Sequence, residues 1–322
     1  MNINPIPLAV TTADYLALAL VIGAAASWLY LLAPYRGTAK VFSTPLPLLG
    51  AALALLCVSA LGDLIIRTVA LADVELNEVW PYIGRALTHS DYGSFWQLRT
   101  VIWLLLVVLT FRMTRKGDVT TSARWMALGA LVIAFVMSST GHAGDSGTLT
   151  LSNLINVLHI VGVSLWGGTV IVYAVRILPH ARHPKLPAQA LALTATRLST
   201  LAGAALGIVL VTGIYNAWRQ LPNWAALWDT AYGQVLLVKL AIVAVMAGIG
   251  AINRFFVVPS IEMQARKMES VSRGNDVNVQ RFLTLLRIDA VVFLFILFCA
   301  ALLGAQTPPA HLAESMASVS IH

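Results

Sequence analysis

Charged residues and cysteine are both scarce in this sequence. Only 11% of the 322 residues are charged and 58% are hydrophobic, whereas a soluble domain carries about 25% charged residues. The two cysteines, Cys57 and Cys299, form no CxxC pair and lie inside apolar runs, which argues against a disulfide framework and a zinc ribbon. The sequence contains neither a GxxxxGK[ST] segment nor a hydrophilic stretch long enough for a cytoplasmic domain that hydrolyses ATP, which argues against an ATP-driven pump. These absences favour a membrane protein over a water-soluble enzyme.

Long apolar segments make up most of the chain, each near the length of about 20 residues that one bilayer crossing requires. No basic residue precedes Arg36, which argues that the first segment is a membrane helix and not a cleaved secretory signal. We predict an all-α, polytopic membrane bundle of about eight helices, with residues 1–322 forming a single integral membrane domain. The predicted membrane helices cover residues 13–33, 46–68, 95–111, 125–141, 152–175, 198–218, 232–253 and 288–305.

The charges are divided unevenly between the two faces of the predicted bundle. A net charge of +7 indicates a nucleic-acid partner only when basic residues gather on one accessible face, and here they lie between apolar runs. Sixteen of the 21 Lys and Arg residues fall in or beside the connections after the odd-numbered helices. Since basic loops stay on the cytoplasmic side, we predict that both termini face outward. Most acidic residues, Asp14 among them, fall on that outer face, where we interpret the majority as solvated.

An internal echo links two parts of the chain. Residues 92–99 read YGSFWQLR and residues 232–239 read YGQVLLVK, each opening an odd-numbered helix and placing a cation six residues after the glycine. The echo suggests a four-helix unit used twice, with halves 1–141 and 142–322. Because four crossings return the chain to the same side, both halves would enter the membrane in the same sense, giving a parallel repeat.

Two histidines are the main candidates for chemistry. His142 follows Gly141 at the outer end of the fourth helix, and His159 lies on the fifth helix at a depth on the order of 10 Å. A connection of ten residues joins the two helices, so we expect them to be antiparallel neighbours. An ionisable group at membrane depth is costly, and neutral imidazole is a common metal ligand. We therefore predict a shared metal site; the alternative is that each histidine hydrogen-bonds a carbonyl between packed helices.

Further metal-capable side chains surround this pair in the sequence. Met137 precedes His142 by five residues and offers a thioether, which favours Cu(I). His89 and Asp91 in the second outer loop and His311 in the C-terminal tail are on the predicted outer side, where solvation is the plainer interpretation.

Two cations lie within helices. We expect Arg99 and Lys239 to extend their side chains to the headgroups, and Asp63 and Arg67 to form a local ion pair, since they are four residues apart. The alternative is that these four residues form one polar network in which Asp63 neutralises a buried cation.

Several of these segments together resemble the copper resistance protein D family, CopD. They are Gly141-His142-Ala143, LHIVGVSLWGG from Leu158, RLSTLAGAALGIVLVTGIYNAW from Arg197, YGQVLLVKL from Tyr232, Ala-Ile-Asn-Arg at 251–254 and the closing LLGAQTPPA. The resemblance is best over residues 138–309, and its strength lies in the order and spacing of the pieces. The family histidines map onto His142 and His159. Matches at Arg197, Tyr232, Gly233, Lys239 and Asn253 look architectural.

The resemblance implies a protein of a bacterial inner membrane that handles copper, often with a small periplasmic copper carrier, CopC, as partner. Together with the orientation predicted from the charges, it puts both termini in the periplasm. On this basis we predict a non-enzymatic copper transporter that binds Cu(I) or Cu(II) at the outer histidines and passes it to the cytoplasm. One alternative is a membrane redox protein that holds haem b between histidines. Another is a sensor or assembly factor that binds copper without moving it.

Overall fold

The fold is known from a computed structural model that describes residues 4–35, 45–116, 119–141, 144, 147–181, 188–267 and 277–310. All regular secondary structure within these ranges is helical. Eight helices are long and apolar enough to cross a membrane, which confirms the predicted polytopic bundle. In chain order they are α1 (Pro5–Leu31), α2 (Leu46–Ala72), α3 (Asp91–Arg115), α4 (Val119–Ser139), α5 (Leu151–Ile177), α6 (Gln189–Gln220), α7 (Ala231–Arg266) and α8 (Val277–Gly304). We call the end where the odd-numbered helices begin the outer end and the opposite end the inner end, after the predicted orientation.

The helices extend beyond their predicted limits, mostly at the polar ends. α1 begins at Pro5 rather than at residue 13, because Asn4 caps it by accepting a hydrogen bond from the backbone N–H of Ile6 at 3.1 Å. α7 continues past residue 253 through a π-helical turn, Asn253–Val257, into a polar segment that packs on α6. Hydropathy marks where the bilayer ends, whereas backbone hydrogen bonding and packing decide where a helix ends.

The Tyr-Gly echo corresponds to one helix-capping arrangement that occurs twice. Ser90 Oγ accepts from the backbone N–H of Gly93 at 2.9 Å at the start of α3. Thr230 Oγ1 accepts from the N–H of Gly233 at 3.0 Å at the start of α7. Each hydroxyl satisfies one of the N–H groups that a helix N-terminus leaves free.

Both glycines of the echo are needed for close packing. A short helix precedes each of α3 and α7 and folds back on the first turn. A Cβ atom at Gly93 would lie 2.3 Å from the carbonyl oxygen of Ala86, and one at Gly233 would lie 2.2 Å from that of Ala226. The repeated sequence thus encodes a repeated local structure.

α1 is the central helix of the bundle and packs against α2, α4, α5 and α8. Its closest approach is to α5. A Cβ at Gly23 would lie 2.3 Å from the backbone carbon of Gly168, and one at Gly168 would lie 1.9 Å from the carbonyl oxygen of Ala19. Small residues let membrane helices approach to backbone contact, and this crossing is such a case. Gly168, the second glycine of Trp166-Gly167-Gly168, therefore leaves the space that the close contact with α1 requires.

The two halves of the chain have matching packing partners. In the first half α1 packs on α2, α2 on α3, α3 on α4 and α4 on α1. In the second half α5, α6, α7 and α8 make the equivalent four contacts, and α4·α5 is matched across the centre by α8·α1. This correspondence supports the predicted four-helix unit used twice in halves 1–141 and 142–322, which stays a prediction.

The expected positions of Arg99 and Asp14 are wrong. Arg99 does not reach toward the headgroups: its side chain is only 5% exposed and forms an ion pair with Asp14, which also accepts a hydrogen bond from Ser59 Oγ at 2.7 Å. Asp14 lies inside α1 because that helix starts earlier than predicted. Asp63 pairs instead with Arg67, at 3.3 Å. The ion-pair partner of the buried cation is thus Asp14.

Candidate metal site

His159 lies in the outer half of α5 and faces α6. It is eight residues beyond Leu151, the first residue of the helix, which corresponds to a depth of about 12 Å. Its Nδ1 is 2.9 Å from the hydroxyl oxygen of Thr212. A Cβ at Gly213 would lie 3.2 Å from the ring carbon Cε1, so the glycine leaves room for the imidazole. The ring is therefore held between two helices at membrane depth.

The hydrogen bonds of Thr212 define which ring nitrogen carries the proton. Thr212 Oγ1 donates its single hydrogen to the carbonyl oxygen of Ile208 at 2.6 Å, so it accepts from His159. The assignment follows from the hydrogen-bond network, in which His159 must donate through Nδ1–H. Nε2 of the neutral ring then carries the lone pair, which is the form in which imidazole binds a metal.

A row of polar side chains continues from His159 to the outer end. Asn216, one turn beyond Thr212, donates through Nδ2 to Asn156 Oδ1 at 3.0 Å. Asn156 donates through Nδ2 to Ser138 Oγ on α4 at 2.9 Å. Ser138 in turn donates to Asn153 Oδ1 at 2.6 Å. We call Ser138, Asn153, Asn156, His159, Thr212 and Asn216 the polar ladder; it connects α4, α5 and α6.

The polar ladder also bonds the connection between α4 and α5. Asn153 donates through Nδ2 to Ser139 Oγ at 2.9 Å and to the carbonyl oxygen of Thr148 at 2.6 Å. α4 and α5 are packed neighbours, as expected. His142 follows Ser138 by four residues in sequence, but it lies outside the described residues, as does His311, so the predicted pairing of His142 with His159 stays a prediction.

The remaining predicted ligands are apart from the polar ladder. Met137 is partly buried and packs against the main apolar cluster of the bundle. His89 is exposed, and its Nδ1 lies 2.6 Å from Thr88 Oγ1. Asp91 is exposed at the first turn of α3. Within the described part of the chain, no three His, Cys, Asp or Glu side chains gather as a metal cluster.

Sequence reasoning overlooked the amide and hydroxyl members of the polar ladder. Asn153, Asn156 and His159 recur every three residues on an apolar helix, and Thr212 and Asn216 are four apart on the next. Both spacings place side chains on one helix face. A polar stripe of this kind was the available signal, and it identifies α6 as the partner of His159.

The arrangement offers one oriented imidazole and a series of neutral oxygen and nitrogen atoms leading to it. Asn and Thr side chains stabilise a passing cation or its water without adding charge. A metal-binding histidine is commonly held through its other ring nitrogen by a hydrogen bond, which fixes the ring orientation. His159 and Thr212 satisfy that condition. Capture of a metal ion at the outer end fits this chemistry, and a further ligand would have to come from outside the described residues.

Eight apolar helices and a histidine-centred polar ladder define the class: a multi-pass membrane protein with a polar site inside the bundle. Comparison with known families matches residues 3–152 to the copper resistance protein D-like N-terminal domain. Residues 192–303 match copper resistance protein D. The chain belongs to the copper resistance protein D family, as its sequence motifs predict.

Three curated relatives extend this result. Copper resistance protein D of Pseudomonas syringae pv. tomato is 24% identical over 312 residues, which cover 95% of this chain and 97% of that protein. Copper transport protein CutJ of Bacillus subtilis (strain 168) is 29% identical over 175 residues, 53% of this chain but only 32% of CutJ. Inner membrane protein YebZ of Escherichia coli (strain K12) is 24% identical over 182 residues, 56% of this chain and 59% of that protein.

The lengths of these matches differ. The aligned part spans about a third of the Bacillus relative and nearly all of the Pseudomonas relative. No solved structure matches the chain. The family and its relatives support a copper-related function in a membrane.

Proposed function

We propose that this protein is a copper transporter that captures the ion at the outer end of the bundle, through His159 together with His142, and releases it at the inner end. The observation that carries the proposal is the orientation of His159. Its Nδ1–H is engaged by Thr212, at 2.9 Å, which leaves the Nε2 lone pair for a metal. Copper is supported as the metal by two relatives, which are named a copper transport protein and a copper resistance protein.

The direction of transport follows from the predicted orientation. With both termini in the periplasm of a bacterial inner membrane, the polar ladder opens to the periplasm and the ion moves to the cytoplasm. A membrane potential that is negative inside favours this by about 2.3 kcal/mol per charge per 100 mV. The resemblance to CopD adds a small periplasmic carrier of the CopC type as the source of the copper. Entry of Cu(I) or Cu(II) then needs no nucleotide.

Copper accumulation in cells tests the proposal. Replacing His159 by Ala, alone and with His142→Ala, should abolish copper-dependent accumulation, while His89→Ala, an exposed histidine of the same chemistry, should leave it unchanged. Membrane fractions must contain each variant in equal amount, since insertion is the relevant control. Normal accumulation in the His159→Ala variant would remove the site assignment.

Haem binding and copper binding without transport make different predictions. Axial ligation by two histidines needs rings on facing helices, and in the described part of α6 the residue opposite His159 is Thr212. We therefore expect no Soret band in the optical spectrum of the purified protein; a Soret band lost on His159→Ala would overturn the copper site. Copper flux into vesicles that contain the reconstituted protein would contradict a sensor or assembly factor, and its absence would contradict transport.

A further inference from the structure

A cavity lies on the inner side of His159, between α5, α6, α7 and α8. Its volume is about 190 Å³. Apolar side chains such as Trp166, Leu206 and Phe282 form most of its wall. Asn253 and Asp289 also line it. Asp289 is 15 residues from Gly304, at the outer end of α8, which corresponds to a distance of about 22 Å along the helix. The cavity therefore lies further from the outer end than His159.

Two of the polar residues in the wall, Asn253 and Asp289, are buried and have side-chain atoms without a hydrogen-bond partner among the described residues. Asn253 is 5% exposed and Asp289 is 3% exposed. In the part of the chain that the structure describes, neither side-chain heteroatom of Asn253 has a partner, and the same holds for Asp289 Oδ1. Buried polar groups are almost always hydrogen-bonded, since leaving them unpaired is costly. Unpaired polar atoms in two residues that line one cavity point to a ligand that binds there when these side chains turn toward it.

The other carboxyl group buried in the bundle shows what a purely structural role requires. Asp14 is bound by Arg99 and accepts a hydrogen bond from Ser59. The ion pairs among the described residues are Asp14–Arg99 and Asp63–Arg67, so Asp289 belongs to neither. A carboxyl group with no cation beside it in a low-dielectric interior is held in its neutral, protonated form. An architectural role for Asn253, as the sequence suggested, does not account for the two unpaired atoms of its side chain.

Local helix geometry also singles out this cavity. Trp166 belongs to a π-helical turn, Ser164–Gly168, and Asn253 begins another, Asn253–Val257. π-Helical turns in α-helices occur frequently at functional sites, because the wider turn redirects side chains. Here two of them, on α5 and α7, supply residues to one cavity wall.

We propose that the cavity is a cation–proton exchange site, in which a small cation binds the oxygen atoms of Asp289 and Asn253 as the Asp289 carboxyl releases its proton. In this step the neutral carboxylic acid and a free cation become a carboxylate–cation pair and a free proton. Carboxylate and amide oxygens suit a hard cation such as Na⁺, and they also accept copper ions less strongly than imidazole or thiolate does. The cation is therefore the transported copper or a separate coupling ion.

The charged groups around Asp289 are few. Arg254 also lines the cavity, but it is exposed and donates to the carbonyl oxygen of Ser199 at 3.1 Å. Arg287 on α8 is exposed. On the packed neighbours, Glu262 of α7 is hydrogen-bonded to Thr196 and Asp14 of α1 is paired with Arg99. Lys239 of α7 interacts with Cys299, ten residues further toward the outer end of α8, and Arg176 of α5 interacts with another group. Cation binding at the cavity therefore acts on Asp289 itself.

The exchange site is separate from the proposed copper site. Trp166 is seven residues beyond His159 on α5, so two helical turns separate the polar ladder from the cavity wall. The exchange reaction needs neither His159 nor transport. Only its role in a transport cycle, where it would couple cation movement to protons, rests on the proposed function.

Proton release from the purified full-length protein tests the exchange. Sodium chloride, copper(II) sulfate and Cu(I) supplied as its acetonitrile complex are added separately to protein in weakly buffered detergent that contains a pH indicator. We expect at least one of the three to release about one proton per chain, as a single neutral carboxyl requires. Infrared difference spectra should show loss of a protonated carboxyl band in the same sample. Which cation acts distinguishes copper from a separate coupling ion.

Three variants make the result specific. Asp289→Asn should release no proton and lose the carboxyl band, whereas Asp229→Asn, the same change at an exposed site, should behave like the unmodified chain. Asn253→Ala, which keeps the carboxyl, should raise the cation concentration at half-release about tenfold. His159→Ala should release the proton normally, so a failed copper site and a failed exchange site give different results.

Two results would overturn the proposal. One is the absence of proton release and of any carboxyl change with all three cations in the unmodified chain. The other is unchanged release from the Asp289→Asn variant.

Discussion

The buried ion pair between α1 and α3 leads to a quantitative prediction about stability. Arg99→Met keeps much of the side-chain volume but removes the charge, which leaves the Asp14 carboxyl group buried with only Ser59 as hydrogen-bond partner. The group must then either stay charged without a cation or take up a proton, and both cost free energy. The side chains of Arg99 and Asp14 are 5% and 9% exposed, so water cannot replace the lost cation. Removing one partner of a buried pair costs about 3–5 kcal/mol of unfolding free energy.

A second ion pair, formed within α2, provides the control. Arg67 and Asp63 form an ion pair whose side chains are 42% and 26% exposed. Arg67→Met therefore removes an interaction that solvent already weakens, and we expect a loss of about 0–1 kcal/mol. The double variant Asp14→Leu/Arg99→Met leaves no unpaired charge and should recover most of the stability lost in Arg99→Met, since apolar replacement of a whole buried pair is often neutral or stabilising.

Unfolding of the purified protein in mixed detergent micelles, followed by circular dichroism as denaturing detergent is added, measures these differences. The expected order of stability is Arg67→Met, then the double variant, then Arg99→Met. Equal losses for Arg67→Met and Arg99→Met would refute the distinction drawn from burial. A double variant no more stable than Arg99→Met would refute the explanation by an unpaired charge.

Two further predictions concern the contacts of α5 with α1 and with α6. Gly168→Ala should reduce the amount of folded protein in the membrane sharply, since its Cβ would lie 1.9 Å from a backbone oxygen of α1, whereas Gly248→Ala, with no atom within 4 Å, should be neutral in the same immunoblot. Thr212→Val removes the acceptor for His159 Nδ1–H and should weaken copper binding about 10–100-fold by competition titration. Thr200→Val, which changes an exposed threonine of α6, is the control. Equal copper affinities for the Thr212→Val and Thr200→Val variants would contradict the tautomer assignment.

The helices were predictable because hydropathy alone determines which segments enter a bilayer. The ends of the helices were not predictable, and the error at the start of α1 led to a wrong position for Asp14. With α1 assumed to start at residue 13, Asp14 was placed among the outer acids. Because α1 begins at Pro5, Asp14 is nine residues inside it, at a depth of about 14 Å.

The candidate site was predictable only in part. The depth of His159 follows from its place in an apolar segment, but its partner depends on how α5 is rotated toward its neighbours, which periodicity on one helix does not define. Thr212 is 53 residues away in sequence. The Asn253–Asp289 cavity likewise depends on contacts between α7 and α8 and on two π-helical turns. No residue pattern in the sequence predicts either feature.

Copper content of the detergent-purified protein is the most direct test of the central claim, that the imidazole of His159 binds the ion. After exposure to copper and removal of loosely bound metal, the unmodified chain and the His89→Ala variant should retain equal copper, and His159→Ala should retain almost none. Copper retained in full by a folded His159→Ala protein would contradict the account.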